Sequence, residues 1–335
     1  MASIKDVAKK ANVSTATVSH VINETRFVSE STKVKVFQAM KELDYKPNLV
    51  AKSLRSRKSM TIGLIVPMLH MDTSNFFFMS IANGIETIVK QKGYNLILGN
   101  SHEDLQTELE QIKLFNTQLI DGLIIAPTAS DISQYDGVFS GDYPVVFIDR
   151  KPQGYDGDLV MADGYQGTFQ AIETLIKKGH ERIGFISGYL GITTSDERLR
   201  GYKEAHERYH LEVKPTFIKE GHPNFQEGYN LAKKLISEEQ VTALFVSNNV
   251  MTMGALRYIN EHQINIPEEI AIIGFDNYDW MKITTPPLSV VEQPSYEIGE
   301  KAVHVLLERI EKGHQKRSDK KSILLPTQLI SRDSV

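Results

Sequence analysis

At 335 residues the chain exceeds one typical domain, so two or three units with real cores are expected. Its 41% hydrophobic and 24% charged composition is ordinary for a soluble protein, and zero cysteines exclude disulfides, thiol catalysis and Cys-ligated zinc. The net charge of −4 hides an asymmetry: residues 1–60 carry 12 Lys/Arg against 5 Asp/Glu, the remainder 26 against 37. Lys5, Asp6, Lys9 and Lys10 interrupt any apolar run at the start, so no signal peptide is read and the cytoplasm is the expected compartment.

The first elements are two short helical patterns around a tight connection. Ile4, Val7, Ala8 and Ala11 recur at i, i+3, i+4 and i+7, one apolar stripe. Ser14 is placed to cap a second helix whose Val18, Val21 and Ile22 point inward. Its other face carries Thr15, Ala16, Ser19, His20 and Asn23. Small hydrogen-bonding residues on a helix backed by a partner helix suit the major groove of DNA, and the basic charge suits phosphates. A third helix is expected from Ser31 or Thr32, with Val34, Phe37, Met40 and Leu43 closing a three-helix core. Lys46-Pro47 ends that unit.

Residues 47–59 follow as a short helix-capable stretch and a basic, Ser-rich link. Leu49, Val50 and Leu54 there have no internal core to enter. They belong either to a plain linker or to a hinge helix that pairs with its own copy and wedges Leu54 into a minor groove.

From Thr61 onward strands and helices alternate. Strands are expected at Ile62–Pro67, Asn95–Gly99, Gly122–Ala126, Val145–Asp149, Arg182–Ser187, Thr216–Glu220, Ala243–Ser247, Ala271–Phe275 and Ser289–Gln293. Helices are expected near Phe77–Lys92, Leu105–Thr117, Gly167–Lys178, Asp196–Arg208, Gln226–Ile236, Thr252–Glu261 and Tyr296–Lys312. Continuous apolar strands mean burial on both faces, hence an α/β, doubly wound parallel-sheet body long enough for two lobes. The lobes are expected at about 60–160 with 293–322, and about 161–292 with 323–335. Ligands of such sheets bind beyond the carboxyl ends of strands, where this chain places Asp149-Arg150, Asn248-Asn249, Asp276-Asn277 and Gln293, with Arg198 on a following helix. A strand-end Asp is also a common helix cap, and Asp149 with Arg150 is also readable as an ion pair. Carboxylates, amides and aromatic rings in this pattern suit a polyol such as a sugar. No G-x-G-x-x-G, G-K-[ST], G-x-S-x-G or H-E-x-x-H occurs, so no enzyme, metal or cofactor is expected.

With these residues the chain resembles the lactose-repressor/galactose-repressor family over its whole length. Ile4 to Asn23 with Arg26-Phe27-Val28 is similar to the purine and ribose repressors. The stretches 94–101 and 143–150 are similar to ribose-operon repressors. The resemblance implies a helix-turn-helix head over 1–46, a hinge over 47–59, and a body over 60–335 like periplasmic sugar-binding proteins. It further implies operator binding as a homodimer. Thr15, Ala16 and His20 would then face bases, with Thr17 and Asn23 on phosphates and Arg26 also against DNA. Leu54 would be the wedge and Arg55 would lie in the minor groove. Asn75, Phe76, Phe77, Asp149, Arg150, Arg198, Asn248, Asp276 and Gln293 would hold the effector. Many members carry arginine where His20 stands, and Asn-Asp where this chain has Asn248-Asn249. The expectation is a repressor with ribose or a related pentose as inducer. The alternatives are a purine-type corepressor, a sugar-transport component or a sugar-modifying enzyme.

Overall fold

The computed structural model describes residues 2–23, 26–45, 59–69, 75–139, 143–313 and 319–335, with only the backbone of Asn23. It divides into two compact units, Met1–Ser59 and Met60–Val335. Leu54, Arg55 and the expected hinge helix lie outside the described residues.

In the first unit, α1 (Ile4–Ala11) begins with a reciprocal capping box: the Ser3 hydroxyl accepts from the Asp6 N–H, and the Ser3 N–H donates to Asp6 Oδ2. It ends at Asn12, whose φ of 55° lies in the left-handed region that Asn tolerates. α2 (Thr15–Asn23) follows, with Ser14 Oγ accepting from the Thr17 N–H at 3.0 Å. Val7, Val18 and Val36 are fully buried where the three helices meet.

α3 (Glu30–Glu42) corrects the expected core, because Val36 and Ala39 are buried while Val34 is 61% and Phe37 52% exposed. The reason is helical phase. At 3.6 residues per turn each step of three slips back by about 60°, so Val34 and Leu43 lie about 180° apart and cannot both point inward. Met40 and Leu43 pack on the core; Val34 and Phe37 do not.

The second unit holds two six-stranded sheets. The first contains β1 (Thr61–Val66), β2 (Asn95–Asn100), β3 (Gly122–Ile125), β4 (Val145–Ile148), β5 (Asp158–Ala162) and β11 (Ser322–Leu325), ordered β11-β5-β4-β3-β1-β2 and parallel throughout. The second contains β6 (Ile183–Ser187), β7 (Ile218–Glu220), β8 (Ala243–Val246), β9 (Ala271–Phe275), β10 (Ser289–Glu292) and β12 (Gln328–Ile330), ordered β12-β10-β9-β8-β6-β7, with only β12 antiparallel. Helices cover both faces of each sheet: α4 (Asn75–Gln91) and α10 (Ser295–Lys312) against α5 (Leu105–Thr117) in the first, α8 (Phe225–Lys233) and α9 (Asn249–Glu261) against α6 (Gly164–Lys177) and α7 (Thr193–Arg208) in the second. Among the described residues no helix is long and apolar enough to cross a membrane.

Three strands escape the sequence pattern: β5, β11 and β12. β11 and β12 are short edge strands with mostly exposed or half-buried positions, and β5 follows Asp156-Gly157. Since β5 runs to Ala162 and β11 to Leu325, the chain passes between sheets a few residues later than expected. Several helices start one to three residues earlier than expected, because their first turns are set by Asp163, Asn224 and Asn248 caps rather than by apolar spacing.

Candidate functional site

On the first unit, Thr15, Ala16 and Arg26 are exposed, and Thr17 and His20 half-buried. The Thr17 hydroxyl lies 2.9 Å from Ser14 Oγ, inside the helix cap. Lys10 pairs with Glu42 at 2.7 Å, tying α1 to α3.

On the second unit, strand ends from both sheets surround a cleft of about 340 Å³. Asp149 follows β4 and Asp276 follows β9, and both take positive φ, 64° and 69°. Each donates its backbone N–H to the neighbouring strand, Asp149 to Val160 O and Asp276 to Val291 O. The two sheets therefore present matching carboxylates from matching strained positions. Strain of this kind is kept where the surrounding structure fixes it, and it gathers at ligand sites.

Asp276 accepts from two amides: Asn249 Nδ2 reaches Oδ2 at 2.8 Å and Gln293 Nε2 reaches Oδ1 at 2.7 Å. Arg198 donates Nη1 to the Ser247 carbonyl at 2.6 Å and lies over the Phe275 ring, 3.7 Å from its centre. Arg150 gives both terminal nitrogens to the Glu103 carboxylate, and its Nε stands 3.5 Å from Asp149 Oδ2. The Nε atoms of Arg150 and Arg198 have no hydrogen-bond partner among the described residues. Burial pushes Asp149 up, against the pull of Arg150 and Arg198. For Arg150 burial is outweighed by the Glu103 and Asp149 carboxylates, so its pKa is raised, whereas burial lowers that of Arg198.

Of the sequence-derived effector residues, Phe77, Asp149, Arg150, Arg198, Asn248, Asp276 and Gln293 line the cleft. Phe76 and Asn75 do not. Phe76 is 57% exposed with its ring 5.7 Å from that of Tyr278, and Asn75 donates to the Leu69 carbonyl; Phe78, two positions further along the helix, lines the cleft instead. Asn248 and Asn249 both line the cleft, with different hydrogen-bonding partners. Asn248 Oδ1 caps α9 by accepting from the N–H groups of Val250 and Met251, while Asn249 is buried against Asp276. Sequence reading also missed His102, Glu103, Tyr189 and His222, which follow β2, β6 and β7. The strand-end rule that found Asp149 would have found them. What hid them was that they sit one or two residues further into the loops.

The arrangement offers donors and acceptors across the floor, Phe77 and Phe78 from one lobe, and the edge-to-face pair of Tyr189 and His222 from the other. It suits reversible binding of a small polar or planar molecule.

The model for bacterial regulatory proteins of the lacI family matches residues 3–48, and that for a periplasmic binding protein-like domain matches 172–335. The HTH-type transcriptional repressor PurR of Aliivibrio fischeri (strain MJ11) is 36% identical over 324 residues, covering 95% of this chain and 94% of that protein. A solved lac repressor dimer bound to operator and the anti-inducer ONPF superposes with a TM-score of 0.87 at 26% identity, covering 99% of this chain and 98% of the other. A LacI family regulator from Enterococcus faecium with bound ribose gives a TM-score of 0.71 at 26% identity, over 82% of this chain and 98% of the other. Matching head, matching body and end-to-end similarity agree: the chain belongs to the lacI family of bacterial regulatory proteins and is a DNA-binding transcriptional repressor.

Proposed function

We propose that this repressor binds its operator as a homodimer and that a purine-type ligand in the cleft acts as corepressor. The observation that carries the ligand class is the end-to-end 36% identity to PurR, a name shared by further curated relatives at 34–36%. This reverses the order in which the sequence ranked pentose and purine. An arginine at position 150, rather than a stacking aromatic, would by itself favour a sugar over a nucleobase, but with both terminal nitrogens on Glu103 it does not separate the two. A planar base would lie between the aromatic walls and offer its edge to Asp276, Asn249 and Gln293.

A pentose inducer is the second reading, favoured by the ribose-bound relative and by the strand-end carboxylates and amides. In the head, Thr15, Ala16 and His20 are proposed to meet bases, with Thr17, Asn23 and Arg26 towards the backbone of the DNA.

Fluorescence anisotropy of labelled operator separates the readings. Hypoxanthine or guanine should raise operator affinity and ribose should leave it unchanged. If ribose lowers it and no purine raises it, the induction reading replaces corepression.

A further inference from the structure

The cleft contains three carboxylates, Glu103, Asp149 and Asp276, against two guanidiniums, Arg150 and Arg198. Of these two, only Arg150 is paired with carboxylates among the described residues. Arg150 is held between Glu103 and Asp149, and Arg198 lies in the fields of Asp276 and Asp149 while donating to a backbone carbonyl. Asp149 and Asp276 are buried in the floor, whereas the Glu103 side chain is 30% exposed on the loop after β2. Its position is built: His102 and Glu103 both take positive φ, 54° and 59°, and the His102 N–H is tied to Asn100 Oδ1 at 2.9 Å.

From this we infer that Glu103 is a specificity-determining residue: by occupying the terminal nitrogens of Arg150, it makes the cleft reject phosphorylated, anionic ligands and admit neutral ones. The inference rests on the cleft being the ligand site. A bidentate guanidinium is a strong phosphate receptor, and the fork of Arg150 is already filled by a carboxylate which would also repel the phosphate. A neutral sugar or base meets neither obstacle.

The test is isothermal titration calorimetry on the full chain near pH 8, where ordinary imidazoles are uncharged. Inorganic phosphate is titrated against chloride at matched ionic strength, and ribose 5-phosphate against ribose. The proteins are wild type, Glu103→Gln, Glu103→Asp and Glu103→Gln with Arg150→Gln. Wild type and Glu103→Asp are expected to show no saturable phosphate binding. Glu103→Gln should gain it, with affinity for ribose 5-phosphate rising about tenfold or more, and the added Arg150→Gln should remove the gain. Rejection of phosphate by Glu103→Gln, or a gain that survives Arg150→Gln, overturns the assignment. So does a gain in Glu103→Asp, which keeps the charge. Inorganic phosphate reports on the charge at the rim whichever neutral ligand the repressor takes, so failure of the purine reading leaves this result standing.

Discussion

Asp276 joins a strand end, a helix start and a lobe crossing, since it accepts at once from Asn249 on α9 and from Gln293 after β10. Truncating it removes the carboxylate acceptor of the buried Asn249 amide and of the half-buried Gln293 amide, at about 1–3 kcal/mol in such settings. Asp276→Ala should therefore weaken cleft-ligand affinity by roughly 5–150-fold and abolish the ligand's effect on DNA binding, with operator affinity in the absence of ligand kept. Titration calorimetry alongside anisotropy measures both. Glu108 is a different buried acid, accepting from the Tyr135 hydroxyl and from the Thr128 N–H at 2.9 Å. Burial raises its pKa above the usual 4.5 despite those bonds. The folded state then holds the proton more tightly than the unfolded chain, so the associated stability is full below the ordinary value and is lost as pH rises through the folded one. The melting temperature of wild type minus that of Glu108→Gln should fall as pH rises above the ordinary glutamate value; a flat difference would show that Glu108 does not titrate abnormally.

At the scale of elements, helix pairs cross closely through glycine. A Cβ at Gly84 of α4 would lie 2.2 Å from the Tyr296 carbonyl oxygen, and one at Gly299 of α10 would lie 2.2 Å from that of Ile81. Gly84→Ala must push the two helices apart over the core of the first sheet. We expect a loss of roughly 1–3 kcal/mol by denaturant melting, with the helical head still folded. In α2 the buried stripe of Val18 and Val21 fixes which side chains remain outside, so His20 is the candidate for base readout on that face. His20→Ala should cost about 1–3 kcal/mol on the operator and little on random DNA. Equal losses on both would assign His20 to packing.

For the whole molecule, charge is segregated by unit, with the basic excess confined to residues 1–60. Operator affinity should fall steeply with added salt through counterion release, whereas affinity of the cleft for an uncharged ligand should barely change. Ligand and operator are linked by a single coupling energy, so whatever factor the ligand applies to operator affinity, the operator must apply to ligand affinity. Measuring both legs on one preparation checks this. Unequal factors would mean that a third process, such as a change in oligomeric state, accompanies binding.

Much of this was legible along the chain. Period-3.6 stripes located α1 and α2, continuous apolar runs located the central strands, and the strand-end rule located Asp149, Arg150, Asp276 and Gln293, because these signals depend on neighbours a few residues away. Edge strands β11 and β12 carried no such signal, since half-exposed short strands lack a continuous apolar run. The inward face of α3 was missed because equal spacing of apolar residues does not fix helical phase. Only the tertiary structure decided that Asn248 caps while Asn249 binds Asp276, that Phe78 and not Phe76 enters the cleft, and that Arg150 is already held by Glu103. Those outcomes depend on which side chains from distant strand ends compete for the same few hydrogen bonds, and Glu103 and Arg150, 47 residues apart in the chain, meet only when the sheet folds.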